Sequence, residues 1–240
     1  MLRVNWNYIK MMVLLGLVIF LFAFASNRNS VRKVLEVDIQ FIGENNLFVT
    51  HETVSKLLIQ YQHSVKNMAK ETLDLNQLEK ALNSNLMIKS AQVYVTVNGT
   101  VKADIEQKTP IARVNTNESY YIDDEGSYMP LSSNFTARVP LVTGSINKNN
   151  LKNIYKVANK IKNDEFLMKN VIEINQDSKQ TIYLKLRQCD FTVKLGDVNS
   201  LDKKINNLKA FYQKNLHDKT LNNYIKVNLQ FDNQVVCTKT

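Results

Sequence analysis

Met11–Ala25, MMVLLGLVIFLFAFA, carries no charge across fifteen residues, and Gly16 alone interrupts its apolar side chains. As a helix it reaches about 22 Å at about 1.5 Å per residue, against about 30 Å of bilayer hydrocarbon. Adding Tyr8, Ile9 and Ser26 brings it close to a full span. Lys10 tolerates that depth by snorkelling its ammonium to the interface. Trp6 and Tyr8 fall where an interfacial aromatic belt belongs. No second such stretch follows residue 33. The expectation is a short tail at residues 1–10, an anchor through the lipid bilayer at residues 9–26, a polar tether at 27–33, and one large soluble body.

A cleavable signal peptide competes with the anchor, because Ala23-Phe24-Ala25 has the small-x-small pattern of a cleavage site. The apolar run is long for a signal-peptide core, and the aromatic belt favours an anchor. Charge does not orient it. Arg3 and Lys10 precede the segment, whereas Arg28, Arg32 and Lys33 follow it. A tail this short makes export of the body the usual outcome, with the N-terminus left in the cytoplasm.

The formal net charge of +9 invites a nucleic-acid reading. Five of the 31 basic residues and none of the 22 acidic ones lie in residues 1–33, so 26 and 22 remain beyond, a net of +4. The remaining lysines are scattered, without an Arg-rich stripe or a nucleic-acid motif. A solvated surface and no nucleic-acid partner is the reading. Cys189 and Cys237 have no CxxC spacing, so neither a metal site nor a redox motif is indicated. Export would permit a disulfide, but buried free thiols are expected.

Val34–Ile42 places Leu35, Val37, Ile39 and Phe41 on one face, a strand. Gly43-Glu44-Asn45-Asn46 turns. Thr50 caps a helix in which Val49 staples to Val54, and Val54, Leu57, Leu58 and Tyr61 form one stripe. His63–Glu71 is a polar connection. Asp74 then caps a second helix, with Gln77 completing the capping box, Leu73 stapling to Leu78, and Leu78, Ala81 and Leu82 facing inward. Ala91, Val93, Val95 and Val97 alternate, Asn98-Gly99 signals a hairpin, and Val101, Ala103 and Ile105 alternate on the return. The order is β-α-α-β-β.

That order directly after a lone anchor resembles a POTRA (polypeptide-transport-associated) domain, expected over residues 34–109. The run LDLNQLEKALNSNLMIKSAQVYVTVNGTVKADIEQKTPIARV resembles the corresponding part of the bacterial cell-division family FtsQ/DivIB. The matching pieces are Asn85 to Ile88, Ala91-Gln92-Val93 and Pro110-Ile111-Ala112. YYIDDEGSYMPL resembles the family's aromatic I-D-x-x-G hairpin, and Arg138-Val139-Pro140-Leu141-Val142-Thr143-Gly144 its L-P-x-L-x-G segment, from which it departs slightly. The order of elements carries the resemblance over nearly the whole chain.

Residues 110–240 read as a second domain. Tyr120–Ile122 and Tyr128 flank Asp123-Asp124-Glu125-Gly126, which is a turn rather than a calcium loop because alternate ligands are missing. Leu151, Ile154, Tyr155, Ala158 and Ile161 mark a helix. Val171–Asn175 and Thr181–Leu186 are strands around Asp177–Gln180. Phe191, Val193 and Leu195 alternate, Leu201, Ile205, Leu208 and Tyr212 mark another helix, and Ile225, Val227, Leu229 and Phe231 alternate before a turn at Asp232-Asn233 and a last strand, Val235–Thr238. The fold class is α+β: an N-terminal transmembrane helix, a POTRA domain, and a mixed β-sheet domain with helices on one face. The resemblance implies one long sheet continuous with the POTRA domain.

Catalytic patterns are missing from the sequence. His51, His63 and His217 stand near no nucleophile elbow. HExxH, P-loop and dinucleotide patterns do not occur. Hence no catalytic, cofactor-binding or metal-binding residue is assigned, no cofactor is expected, and the chain is read as no enzyme. The resemblance implies a divisome scaffold of the inner membrane that binds FtsB/FtsL-type division proteins and helps control septal peptidoglycan synthesis. The competing reading is a chaperone-like POTRA receptor in protein export. Gln234–Thr240 has nothing after it in the sequence to cover it, so Gln234, Val235, Val236, Cys237, Thr238 and Lys239 are the expected partner-binding residues, through backbone pairing at a sheet edge. The resemblance implies the same: the end of the sheet would receive a strand from an FtsB-type protein paired with an FtsL-type one. A proline at Val236 is the substitution expected to remove a ladder donor.

Overall fold

The computed structural model describes residues 6–30, 33–34, 36–43, 46–62, 69, 72–231 and 234–240. It divides into two compact units, Met1–Gln107 and Lys108–Thr240.

In the first unit, helix α1 runs Trp6–Ser30. Over Trp6–Arg28 it is long and apolar enough to cross a membrane, and none of that span is buried by protein. Its apolar side chains are exposed, as lipid-facing side chains are. The helix reaches past Ser26, so the first residues of the expected tether are helical.

Strand β1 (Glu36–Ile42), helix α2 (His51–Gln62), helix α3 (Leu75–Asn83), and strands β2 (Ile88–Val95) and β3 (Thr100–Gln107) follow. The sheet order is β1-β3-β2, with β1 parallel to β3 and β2 antiparallel to it. Both helix starts read from the sequence are present. Thr50 Oγ1 accepts the Thr53 amide at 3.3 Å, and Asp74 Oδ1 accepts the Gln77 amide at 3.0 Å. Val49 and Val54, and Leu73 and Leu78, are all buried in one core with Leu58, Leu82, Val93 and Ile105. The alternation ends at Val95. Thr96 accepts the Gly99 amide at 3.1 Å, so Val97 and Asn98 are the central turn residues and Gly99 takes φ +90°. Val97 is thus 77% exposed instead of facing the core. Leu35, the side chain of Tyr61, most of the 63–71 connection and the 232–233 turn lie outside the described residues.

The second unit contains β4 (Pro110–Asn115), β5 (Ser119–Asp123), β6 (Tyr128–Met129), β7 (Leu141–Gly144), α4 (Lys152–Lys162), α5 (Glu165–Asn170), β8 (Val171–Gln176), β9 (Ile182–Leu186), β10 (Thr192–Gly196), α6 (Leu201–His217), β11 (Tyr224–Asn228) and β12 (Val236–Lys239). Nine strands form one mixed sheet, ordered β12-β11-β10-β9-β8-β7-β4-β5-β6. Among the described residues, β1–β3 and β4–β12 hydrogen-bond as two sheets, one in each unit. The connection from β7 through α4 and α5 returns to β8 parallel to β7, the arrangement that needs a helical crossover.

The amphipathic stripes explain where the helices lie. Ile154, Val157, Ala158 and Ile161 of α4, Leu167 of α5, and Ile205, Leu208 and Tyr212 of α6 are buried in one core with Val142, Ile174, Leu184, Val193 and Val227 of the strands. Burying a side chain of this size contributes about 1.5–3 kcal/mol. On the sheet, Tyr121 is buried outside that core, and its hydroxyl accepts the Ala137 amide at 3.1 Å.

Candidate functional site

β11 and β12 close one side of the nine-stranded sheet, and β12 pairs with β11 alone among the described residues. β11 begins with a residue of the wrong parity. Tyr224 pairs with Lys239 and Lys226 with Thr238, so Ile225 is an extra residue opposite the partner strand. Such a bulge reverses the alternation. Tyr224 therefore packs against the core with α6, while Ile225 is 53% exposed. Of the alternating set Ile225, Val227, Leu229 and Phe231, Val227 and Leu229 are buried, and Ile225 and Phe231 are not.

β12 is regular from Val236 to Lys239. Thr240 donates its amide to the Asn223 carbonyl at 3.1 Å, toward β11. Amides alternate along a strand, so those of Val236 and Thr238 also point to β11, and those of Cys237 and Lys239 point to the open side. Proline at Val236 would therefore break the ladder within the sheet. Proline at Cys237 is the substitution that removes an outward donor.

Beneath the edge strand runs an open groove of about 690 Å³, bordered by Phe211, Lys214, Tyr224, Val235, Cys237 and Lys239. Its floor is aromatic. The Phe191 and Phe211 ring centres are 5.8 Å apart and those of Phe211 and Tyr224 5.2 Å, both edge to face. The end of α6 is fixed by Asn215, whose side chain donates to the Phe211 carbonyl at 2.8 Å and accepts from the Thr220 hydroxyl at 2.8 Å. Of the six residues expected from the sequence, Val235 and Cys237 pack against the core, and Gln234, Val236, Thr238 and Lys239 are exposed. The strand thus both completes the core and offers an edge. Sequence reasoning missed Phe211 and Lys214 as neighbours of this strand, although Phe211 stands three residues after Leu208 on the helix.

The remaining polar candidates are structural. His51 Nε2 meets the Ile39 carbonyl at 3.2 Å, and its ring stands edge-on to Phe41. His217 is exposed beside Asp218, and His63 lies outside the described residues. Asp123 accepts the Glu125 and Ser127 amides at 3.1 and 2.7 Å and pairs with Lys108 at 2.7 Å, so its carboxylate serves the turn. Among the described residues no group of three His, Cys, Asp or Glu side chains is arranged to hold a metal ion. Cys189 and Cys237 are free thiols; burial, then the neighbouring Asp190, pushes Cys189 up to about 11, and burial raises Cys237.

The comparisons with known proteins agree with the architecture. A POTRA-like domain is matched over residues 33–106. The family described as FtsQ/DivIB, C-terminal related, is matched over residues 109–238. A search of curated proteins returns no match. Together with the one described helix able to span a bilayer, these matches support a cell-division role and a single-pass membrane protein. The match to 109–238 covers more than half of the chain, which therefore belongs to the FtsQ/DivIB family.

Proposed function

We propose that this protein is a divisome scaffold of the inner membrane, with its N-terminus in the cytoplasm and its body in the periplasm. Residues 9–26 anchor it, and Gln234–Lys239 receive a strand from an FtsB-type protein paired with an FtsL-type protein. Through them it helps control septal peptidoglycan synthesis, as a binding protein without a reaction of its own.

The observation that carries this reading is the position of β12 at the edge of a nine-stranded sheet. An edge strand presents a row of unpaired backbone donors and acceptors, which is a template for a strand from another chain. Backbone pairing supplies affinity, and alternate side chains entering the groove over Phe211 and Tyr224 supply specificity. Native proteins often blunt such edges with charge. Lys239 alone is charged within β12, which leaves most of the edge open to pairing.

Co-purification with the FtsB/FtsL-type pair tests it. Cys237→Pro and deletion of residues 235–240 should each abolish the complex while the body keeps its fold by circular dichroism. Retention of the complex at parental affinity by both folded variants would overturn the reading. A reporter active only in the cytoplasm, fused after residue 33, should be silent.

A further inference from the structure

The helices cover one face of the nine-stranded sheet, and the lysines on their side are mostly spent. Lys160 pairs with Asp202, Lys162 with Asp124, Lys169 with Glu165, Lys204 with Asp197 and Lys209 with Asp164. The opposite face differs. Lys226 of β11, Thr192 of β10 and Lys185 of β9 stand in one cross-strand row, and Lys194 of β10 stands beside Tyr183 of β9 in the next. Their strand neighbours Val193, Leu184 and Val227 are buried in the helix-covered core, so these lysines project the other way. None of the three makes an ion pair among the described residues. The one acid in their row is Glu173, opposite Lys185, and its carboxylate already accepts the Thr143 hydroxyl at 2.7 Å.

We propose that this open face, centred on Lys185, Lys194 and Lys226, is a docking surface for an acidic, extended polypeptide segment of a partner protein, separate from the β12 edge. Glu173 opposite Lys185 and Asp177, which accepts the Tyr183 hydroxyl at 3.4 Å, offset this positive charge only in part, and three neighbouring ammonium groups outside any ion pair attract an anionic partner. Their spacing favours several carboxylates over one compact anion, since adjacent strands lie about 4.8 Å apart and Lys226 and Lys185 are two strands apart. The surface is also hollowed, with a depression of about 370 Å³ bordered by Glu173, Asn175, Tyr183, Leu184, Lys185 and Thr192. The Lys226 ammonium leans 6.0 Å from the centre of the Tyr183 ring. An amide, a hydroxyl and an aromatic ring among the lysines match the mixed polar and apolar groups of a peptide better than the uniform charge of a lipid surface.

The test uses the full chain in nanodiscs of zwitterionic phosphatidylcholine. The probe is a labelled synthetic peptide alternating Glu and Thr, followed by fluorescence anisotropy. The parent should bind it, with affinity falling as salt rises, and should not bind the Gln-Thr counterpart. K185E/K194E/K226E should weaken binding by at least about tenfold, the scale of three modest surface pairs lost together. K80E/K152E/K156E, which changes net charge equally on other exposed lysines, should weaken it by much less. If the first triple variant does not fold, K185Q/K194Q/K226Q takes its place with the same expectation. Equal weakening by both triples, or no binding by the parent, overturns the proposal. Loss of binding to phosphatidylglycerol vesicles with peptide binding unchanged overturns it in favour of a lipid surface.

Discussion

Gln107 and Val49 hold each other as two residues of a β-ladder would: the Val49 amide donates to Gln107 Oε1 at 3.0 Å, and Gln107 Nε2 donates to the Val49 carbonyl at 2.8 Å. The Phe48 amide shares the same oxygen at 2.9 Å. A side chain at the end of β3 thereby satisfies the backbone just before α2, which pairs with no strand among the described residues. Gln107→Ala would strand two buried donors and one acceptor, at about 1–3 kcal/mol for each unsatisfied group, partly relieved by water. A net loss of about 2–4 kcal/mol is expected in chemical denaturation. Hydrogen exchange at the Phe48 and Val49 amides should accelerate together. Unchanged exchange at both would contradict this role.

Asp164 predicts an acid-sensitive α5. Burial opposes its ionisation, but the hydrogen bond from Lys209 and the one from the Leu167 amide outweigh that cost and hold the carboxyl below its ordinary value of 3.8. A carboxylate with a lowered folded pKa contributes stability above the unfolded pKa and loses it as pH falls toward the folded one. Asp164→Asn keeps a side-chain oxygen for the cap and loses the charge facing Lys209, so it should be less stable than the parent at pH 7 by up to about 1 kcal/mol. The gap should narrow below about pH 4. Melting curves over that range decide it, and a gap independent of pH would assign the loss to packing.

Cys189 and Cys237 should be dispensable. A thiol pushed up to about 11 carries almost no thiolate at neutral pH, so Cys189 should label slowly with iodoacetamide and Cys237, which is half-buried, faster. A domain of this size does not depend on a disulfide for stability. Replacing both with Ser should cost no more than about 2 kcal/mol. A reducible crosslink in the parent, with a larger loss in the variant, would show a disulfide instead.

Gly144 closes β7 with φ +92°, and a Cβ there would lie 2.2 Å from the Gln176 carbonyl oxygen, itself bonded by the Ser145 amide at 2.7 Å. The clash is with backbone and cannot be relieved by a rotamer. Gly144→Ala should cost roughly 2–4 kcal/mol by thermal denaturation. A variant as stable as the parent would show that β8 yields easily at this point.

The helices were legible because their signals are local. Asp74 with Gln77, and the stripes at Leu201–Tyr212 and Leu151–Ile161, need nothing outside a few turns of chain. Pairings between distant strands leave no comparable mark: nothing in residues 36–42 says that they lie parallel to β3. β7 spans four residues and α5 six, too short for a period to show, though Asp164 ahead of Leu167 was a usable cap signal. The bulge at Ile225 is set by the ladder to β12, so the alternation read from sequence grouped Ile225 with the buried Val227 and Leu229 although it is exposed. The last strand was legible in the residues Val235–Thr238. The groove over Phe211 was not, because it needs the distance between α6 and β12.

Amide hydrogen exchange along β12, with and without the FtsB/FtsL-type pair, tests the account most directly. In the free protein, Val236 and Thr238 should already be slowed by their bonds to β11, while Cys237 and Lys239 exchange fast. Partner binding should slow Cys237 and Lys239 by at least about tenfold, the protection given by a new ladder bond of roughly 1.4 kcal/mol or more. If the pair binds and these two amides exchange as fast as before, the C-terminal edge does not receive the partner strand.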